Sequence, residues 1–346
     1  MREYLDWNAT TPLRDEVKAA MIAAMDIAGN PSSVHTEGRA AKMAMERARE
    51  DIAAALGAEG ADVIFTSGTT EAAAMVLAGQ GIHCAPVEHS AVKAWCEDDL
   101  VVHRDGIVSV PEPARATLQL ANNETGVIQK LPAGLASSDL TQAFGKVPFA
   151  FNWLDLTAGF VSAHKLGGPK GVGALILKKG TEIEARMRGG GQEQGRRGGT
   201  ENFIGILGFA AAAKAAQSDL EAGLWAEVEA RRDALEARLL DIAPDALIAG
   251  KAAPRLPNTT CILTSGWKGE TQVMQMDLAG FAISAGSACS SGKIRASGTL
   301  QAMGFDDQTA QSAIRISISP ALGDDQMNRF ADAWESAYGR WRDRNG

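Results

Sequence analysis

The sequence predicts an α/β protein built on a mainly parallel sheet, with a second, smaller α+β domain toward the C-terminus. Three observations carry this. Residues 63–65, the run that ends at Ser162, and residues 171–177 are short and apolar, as strands covered on both faces are. Helical patterns stand between them, which is the alternation of a parallel sheet. The length, 346 residues, exceeds one ordinary small core and suits a large domain plus a smaller one.

In chain order, residues 36–57, "TEGRAAKMAMERAREDIAAALG", predict a helix with Thr36 as N-cap and Gly57 as the stop. The strand at 63–65 runs into a Ser-Gly-Thr-Thr turn and an Ala-rich helix. "TLQLANNETGVI", "AGFVSAHK" and "GVGALIL" predict further short strands. After "GRRGGTENFIGILGFAAAAKAA" a long helical pattern continues to about Leu240. "PRLPNTTCILTSG" and "AISAGSACSSGK" return to strand and loop, and "QTAQSAIRISISP" reads as a helix end followed by a strand. The smaller domain is placed from about residue 221 onward.

Composition excludes several function classes. Hydrophobic residues make up 45% and charged residues 22%, as in globular proteins. The net charge of −8 opposes a general nucleic-acid binder. No stretch approaches the ~20 apolar residues of a membrane span. The start, "MREYLDWNATTP", is charged and lacks the apolar core of a secretory signal, so a cytoplasmic location is expected. Cys84, Cys96, Cys261 and Cys289 show no CxxC spacing, so neither a disulfide framework nor a metal site is expected.

Several tracts carry chemistry. In "FTSGTTEA" a strand ends and a helix opens, which presents N–H groups, hydroxyls and the helix dipole to an anion. Gly68, Thr69 and Thr70 are the candidate phosphate cradle; taken alone the tract reads better as a capped helix start. No GK[ST] follows, so it is not a P-loop, and no early G-x-G-x-x-G points to a nicotinamide enzyme. Asp139 and Gln142 lie in "DLTQAFGK", and a buried acid there needs a cationic partner such as a pyridinium nitrogen. Lys165, in "SAHKLGGPKG", ends an apolar run and precedes a broken backbone, an unusual setting for a surface lysine. It is the candidate Schiff-base residue, with Ser162 and His164 beside it as phosphate ligands. His89 by itself reads as a loop histidine, as do His35, His83 and His103. Cys289 stands in a serine- and glycine-rich tract too polar for a core, so it reads as a nucleophile. The other three cysteines read as structural or incidental thiols.

"LDWNATTP", "GNPSSVH", "FTSGTTEA", "VEHSAV", "ANNETGVIQ", "DLTQAFGKVP", "SAHKLGGPKGVGAL", "GGGQEQGRRGGTEN", "SAGSACSSGK" and "AIRIS" occur in this order from end to end. Together they resemble the cysteine desulfurases, fold-type I pyridoxal phosphate (PLP) enzymes of the class V aminotransferase group. The serine-rich loop resembles the long Cys-loop branch that serves iron–sulfur cluster assembly and thiolation. The resemblance implies a large PLP-binding domain at 15–220 with a mainly parallel seven-stranded sheet. It implies a small α+β domain formed by 1–14 and 221–346, which carries the Cys loop. Lys165 matches the Schiff-base lysine, Asp139 the acid on the pyridine nitrogen, Gln142 the donor to the phenolic oxygen, and His89 the imidazole stacked on the ring. Thr70, Ser162 and His164 match phosphate ligands, beside Thr69. Thr200 matches a phosphate ligand lent by a neighbouring subunit, hence a homodimer. Asn123 and Arg315 match the holders of the substrate carboxylate, and Cys289 the sulfur acceptor.

The activity so implied converts L-cysteine to L-alanine, with sulfur carried as a persulfide on Cys289 to an acceptor protein such as an iron–sulfur scaffold. No metal, nucleic acid or membrane partner is implied. Selenocysteine lyase or another PLP β-eliminase is the rival within enzymes, and a non-catalytic scaffold of the same fold the rival outside them. The chain departs from the family's pattern twice. Between Gly126 and Asp139 only "VIQKLPAGLASS" intervenes, too short for a helix and most of a strand, so a trimmed crossover is expected. "FAFNWLDLTAGF" replaces the usual acid-containing approach to the lysine with extra aromatics.

Overall fold

The computed structural model describes residues 2–285 and 296–345. In chain order the elements begin with β1 (Glu3–Tyr4), α1 (Asp15–Met25), α2 (Thr36–Ala55), β2 (Asp62–Thr66), α3 (Thr69–Leu77) and α4 (Ser90–Lys93). There follow β3 (Ser137–Asp139), β4 (Ala158–Ser162), β5 (Gly173–Leu177), α5 (Phe203–Glu221) and α6 (Leu224–Ile242). The C-terminal part holds β6 (Leu247–Ile248), β7 (Thr259–Leu263), α7 (Gly269–Leu278), β8 (Phe281–Ala282) and β9 (Ser284–Ala285). It ends with α8 (Gly298–Ala302), α9 (Asp307–Gln311), β10 (Ala313–Ser317) and α10 (Asp324–Asn345).

The large sheet runs β2-β5-β4-β3, with β5 antiparallel to both neighbours and β3 parallel to β4. Beyond β3 it continues through shorter pairings: Leu118 N–H donates to Ser137 O, Thr117 N–H to His83 O, and Cys84 N–H to Glu97 O. The bridges Thr117 to Ser137, His83 to Ala116 and His83 to Glu97 are all parallel. Among the described residues the sheet is thus seven segments wide and mainly parallel, the expected architecture.

Side-chain alternation explains why the predicted strands are apolar throughout. Val63 and Phe65 enter one core while Ile64 enters another, and Ala174 and Ile176 oppose Leu175 and Leu177 in the same way. The first core lies under α2 and α5, with Ile52, Leu56 and Phe209. The second is capped by α3 through Ala72, Ala73 and Leu77. A side chain such as Phe160, fully buried, contributes roughly 2–3 kcal/mol through lost water contact. A third core joins Leu5 to residues from Trp225 to Tyr338 around the antiparallel sheet β6-β7-β10-β9. In it Trp334 and Tyr338 stack with centroids 5.4 Å apart, and Trp267 lies 5.5 Å from Trp334.

Two local expectations are corrected and a third, Gly57 as the helix stop, holds. The cap of α2 is His35 rather than Thr36: its Nδ1 accepts Gly38 N–H at 3.3 Å, so a ring nitrogen does the work a hydroxyl was expected to do. Gly57 is the stop, at φ +58°. The long helical pattern to Leu240 is two helices, α5 and α6, because Gly223 turns the chain at φ +71° between them.

The crossover between Gly126 and β3 is trimmed, as its length required. Ile128 pairs with Ala121, and a turn at Gly134, φ +75°, leads into β3. The shortened chain is tied to the C-terminal part, since Leu256 N–H donates to Gly126 O at 2.7 Å and Ile128 N–H to Pro254 O at 2.8 Å. Of the extra aromatics, Phe151 is buried and Trp153 is 87% exposed.

Candidate active site

A cavity of about 760 Å³ opens where β3 and β4 end and α3 begins. This is the usual place for a ligand in an open α/β sheet, outside the carboxyl ends of its strands. Lys165, Asp139, Gln142, His89, Thr69, Thr70, Ser162, His164, Asn123 and Arg315 all line it. Thr200 is exposed and does not line the cavity of its own chain. Cys289 lies outside the described residues.

Lys165 sits in the single 3-10 turn, Ala163–Lys165, that follows β4. Its Nζ donates to Asn8 O at 2.7 Å and Ala9 O at 2.8 Å. The glycines after it are steric necessities. A Cβ on Gly168 would stand 2.8 Å from Ala163 Cβ, and Gly167 at φ +87° packs against Arg14. The chain therefore folds back tightly enough for Gly168 N–H to reach Ala163 O at 2.9 Å, which fixes the turn that carries the lysine.

Asp139 closes β3, is 8% exposed, and accepts Thr141 N–H at 2.9 Å. Gln142 donates from Nε2 to Asn8 O at 2.9 Å, and its Oε1 accepts from Lys146 Nζ at 2.8 Å. His89 caps the short α4, its Nδ1 accepting Ala91 N–H at 3.1 Å. Behind it Glu88 is buried and accepts Gln119 N–H at 2.5 Å. Burial, reinforced by the nearby Asp139 charge, pushes the Glu88 carboxyl well above the usual carboxylate range.

The anion cradle is built from two sides. Gly68, at φ +152°, ends the turn into α3, and a Cβ there would point to Ser162 Oγ, 3.5 Å away. Thr69 Oγ1 meets Thr141 Oγ1 at 2.7 Å. The first turn of α3 is held by Glu71, which accepts Ser67 N–H at 2.7 Å and Arg197 Nε–H at 2.9 Å. The Gly-rich tract 189–199 is thereby anchored to the cradle. Across the cavity Arg315 reaches Asp6 through Nη2 at 2.6 Å and Asn123 O through Nη1 at 3.0 Å. Its Nε is buried and finds no hydrogen-bond partner among the described residues. The guanidinium thus keeps one unmet donor at the cavity wall.

Sequence reasoning assigned no role to Asp6, Asn8, Thr10, Gln119 or Lys146. The signal for the first three was the motif "LDWNATTP", whose contacts lie far away along the chain. Of the described cysteines, Cys84 and Cys261 are buried and Cys96 is half-buried. Burial pushes the Cys261 thiol up to about 12, which suits the structural reading.

Two site histidines give a pH dependence. Burial, with help from the Lys165 charge, holds His164 down at about 4, and burial also lowers His89. Both are neutral in the fold at pH values where the unfolded chain already binds a proton. The unfolded state then carries more protons, so stability is full above about pH 6.5 and is lost as pH falls toward 4. Thermal unfolding of cofactor-free protein should show a Tm that drops across this window, and less steeply in His164→Asn. An unchanged slope in that variant would remove His164 as a source.

Residues 3–95 and 109–330 match the family described as Aminotransferase class-V. The chain belongs to this family. Among class-V relatives, a cysteine desulfurase of Cereibacter sphaeroides is 38% identical over 92% of this chain and 91% of its own length. The cysteine desulfurase IscS of Dictyoglomus turgidum is 34% identical, over 96% and 93%. The solved structure of a NifS-like protein from Rickettsia africae superposes with a TM-score of 0.89 at 30% identity, covering 98% of this chain and all of that one. Class-V architecture of the fold-type I kind accounts for the wide sheet, the C-terminal unit and the cavity between them.

Proposed function

We propose that this protein is a PLP-dependent cysteine desulfurase that converts L-cysteine to L-alanine and carries the sulfur as a persulfide on Cys289. The observation that carries the reading is one cavity holding an amine, Lys165, a buried acid, Asp139, and an anion cradle at the start of α3. The donor set fits PLP. The cradle suits a phosphate, because Gly68 leaves open the space a side chain would fill and the helix start offers N–H groups. Asp139 suits a protonated ring nitrogen, and Gln142 a phenolic oxygen. When bound, the cofactor supplies an electron sink.

The chain's own residues do the rest. Lys165 holds the cofactor and moves the substrate α-proton; His89, neutral through burial, is the second group able to accept or return a proton. Arg315 and Asn123 grip the substrate carboxylate, and Asp6 keeps the Arg315 fork in place. Cys289 as thiolate attacks the substrate sulfur, so the C–S bond breaks as the S–S bond forms. Thr200, exposed on its own chain, is assigned to a neighbouring subunit's phosphate site, which makes the active form a homodimer.

The chain divides into a large domain, 15–220, and a small one, 1–14 with 221–346. The grouping of Leu5 with residues beyond Trp225 in one core supports this division. Iron–sulfur assembly or thiolation is the assigned use of the sulfur, through an acceptor protein, in the cytoplasm. No described helix is long and apolar enough to cross a membrane.

Purified protein reconstituted with PLP should turn yellow and release alanine from cysteine, one per sulfide formed under reductant. Uptake of PLP with turnover confined to selenocysteine would favour the lyase reading. A protein that takes up no PLP would favour the scaffold.

A further inference from the structure

The scheme above leaves Lys146, a buried titratable side chain beside the cavity, without a task. Lys146 is 2% exposed, and no carboxylate forms an ion pair with it among the described residues. The charged groups that face it are Lys165 and Arg315, both cationic; Asp6 is already bound by Arg315, and Asp139 closes β3 on the cavity wall. Burial first, then these two positive charges, drives the Lys146 amine well below the ordinary lysine range. Two acceptors are in place for its N–H groups: Asn8 Oδ1 at 3.0 Å and Gln142 Oε1 at 2.8 Å. The other end of the Gln142 amide faces Asn8 O, a carbonyl that can only accept and that also receives Lys165 Nζ.

We propose that Lys146 is a positioning residue of the site, locking the Asn8 and Gln142 amides so that the Gln142 NH2 end is the one presented to the Asn8 carbonyl and the cavity. Asn8 is held from two more sides, by Asn258 Nδ2 on its Oδ1 at 3.2 Å and by its own Nδ2 on Thr259 Oγ1 at 2.8 Å. The lysine thus completes a buried network in which each amide has one permitted orientation. This inference rests on the PLP reading, in which Gln142 donates to the phenolic oxygen. A donor there draws electron density from the oxygen and so disfavours protonation of the Lys165–cofactor link.

The test is a pH titration of the visible absorbance of the PLP-loaded protein, a readout that a loss of stability alone would not move. Lys146→Met and Gln142→Met should each raise the midpoint, by about one pH unit. The double variant should shift no further than either single one, because both act through the same amide. A Lys146→Met protein that titrates with the wild type, or a double variant whose shift is the sum, overturns the proposal. If Lys146→Met fails to fold, Lys146→Arg serves: it keeps the donors but carries a permanent charge, so its midpoint should fall. An unmoved midpoint in that variant overturns the proposal equally. Wild-type protein that takes up no PLP would overturn the cofactor reading and this inference together, and is seen before any variant is compared.

Discussion

Lys165→Ala should lower alanine formation from cysteine by about 10²- to 10⁴-fold, the range lost with a positioned proton-transfer group. The variant should still fold. Lys165 is half-buried, and its amine bonds backbone carbonyls of residues 8 and 9 rather than filling a core. Asp139, Ser162 and the α3 cradle remain in place, so PLP should still bind, but reversibly. Borohydride treatment separates the outcomes. In the wild type it should fix the cofactor to the peptide containing Lys165; in the variant dialysis should remove all colour. Cofactor fixed elsewhere in the chain, or activity within tenfold of wild type, would refute the assignment of this lysine.

Cys289→Ala should abolish sulfur transfer while leaving the coloured, cysteine-binding protein intact. Among the described residues none that lines the cavity offers a thiol to replace it, and the described cysteines lie elsewhere: Cys84 and Cys261 buried, Cys96 half-buried. With radiolabelled cysteine, the wild type should retain label on a reductant-sensitive persulfide and the variant none. Alanine formation should fall below detection in the absence of added thiol. Normal alanine production from Cys289→Ala would end the persulfide scheme, and pyruvate with ammonia in place of alanine would point to the β-eliminase rival.

Much of the fold was legible because the sheet is covered on both faces. Consecutive residues such as Val63, Ile64 and Phe65 serve opposite cores, so whole runs are apolar and stand out. The strand segments at 83–84 and 97 were not legible. They pair through isolated bridges, and their residues include the polar His83 and Glu97. The cap of α2 was misplaced by one residue because a histidine nitrogen was not weighed against the neighbouring threonine hydroxyl. In the site, the residues flanked by glycine, proline or small hydroxyl residues were found, since local backbone demands left a trace around Lys165 and Gly68. Asn8 leaves no such trace: it meets Gln142 and Lys146 at separations of 134 and 138 positions, and spacing carries no information at that range. Lys146 follows Gly145 and lies four residues from Gln142, but its burial depends on the long-range contact with Asn8.

The N-terminal segment bridges the molecule. Glu3 and Tyr4 pair with Phe281 and Ala282 in β8. Asn8 N–H donates to Ser317 Oγ at 3.0 Å, 309 positions away, and Ser317 N–H to Leu5 O. A few residues later, Thr11 and Arg14 bond the carbonyls of Lys165 and Leu166. A ribosome therefore delivers the first part of the site early and its docking strand, β10, almost last. The opening residues can reach Gln142 and Lys165 by mid-synthesis, but their strand pairing and the Asn8–Ser317 bond must wait for residues 281 and 317, so the cavity wall closes only when the chain is nearly complete.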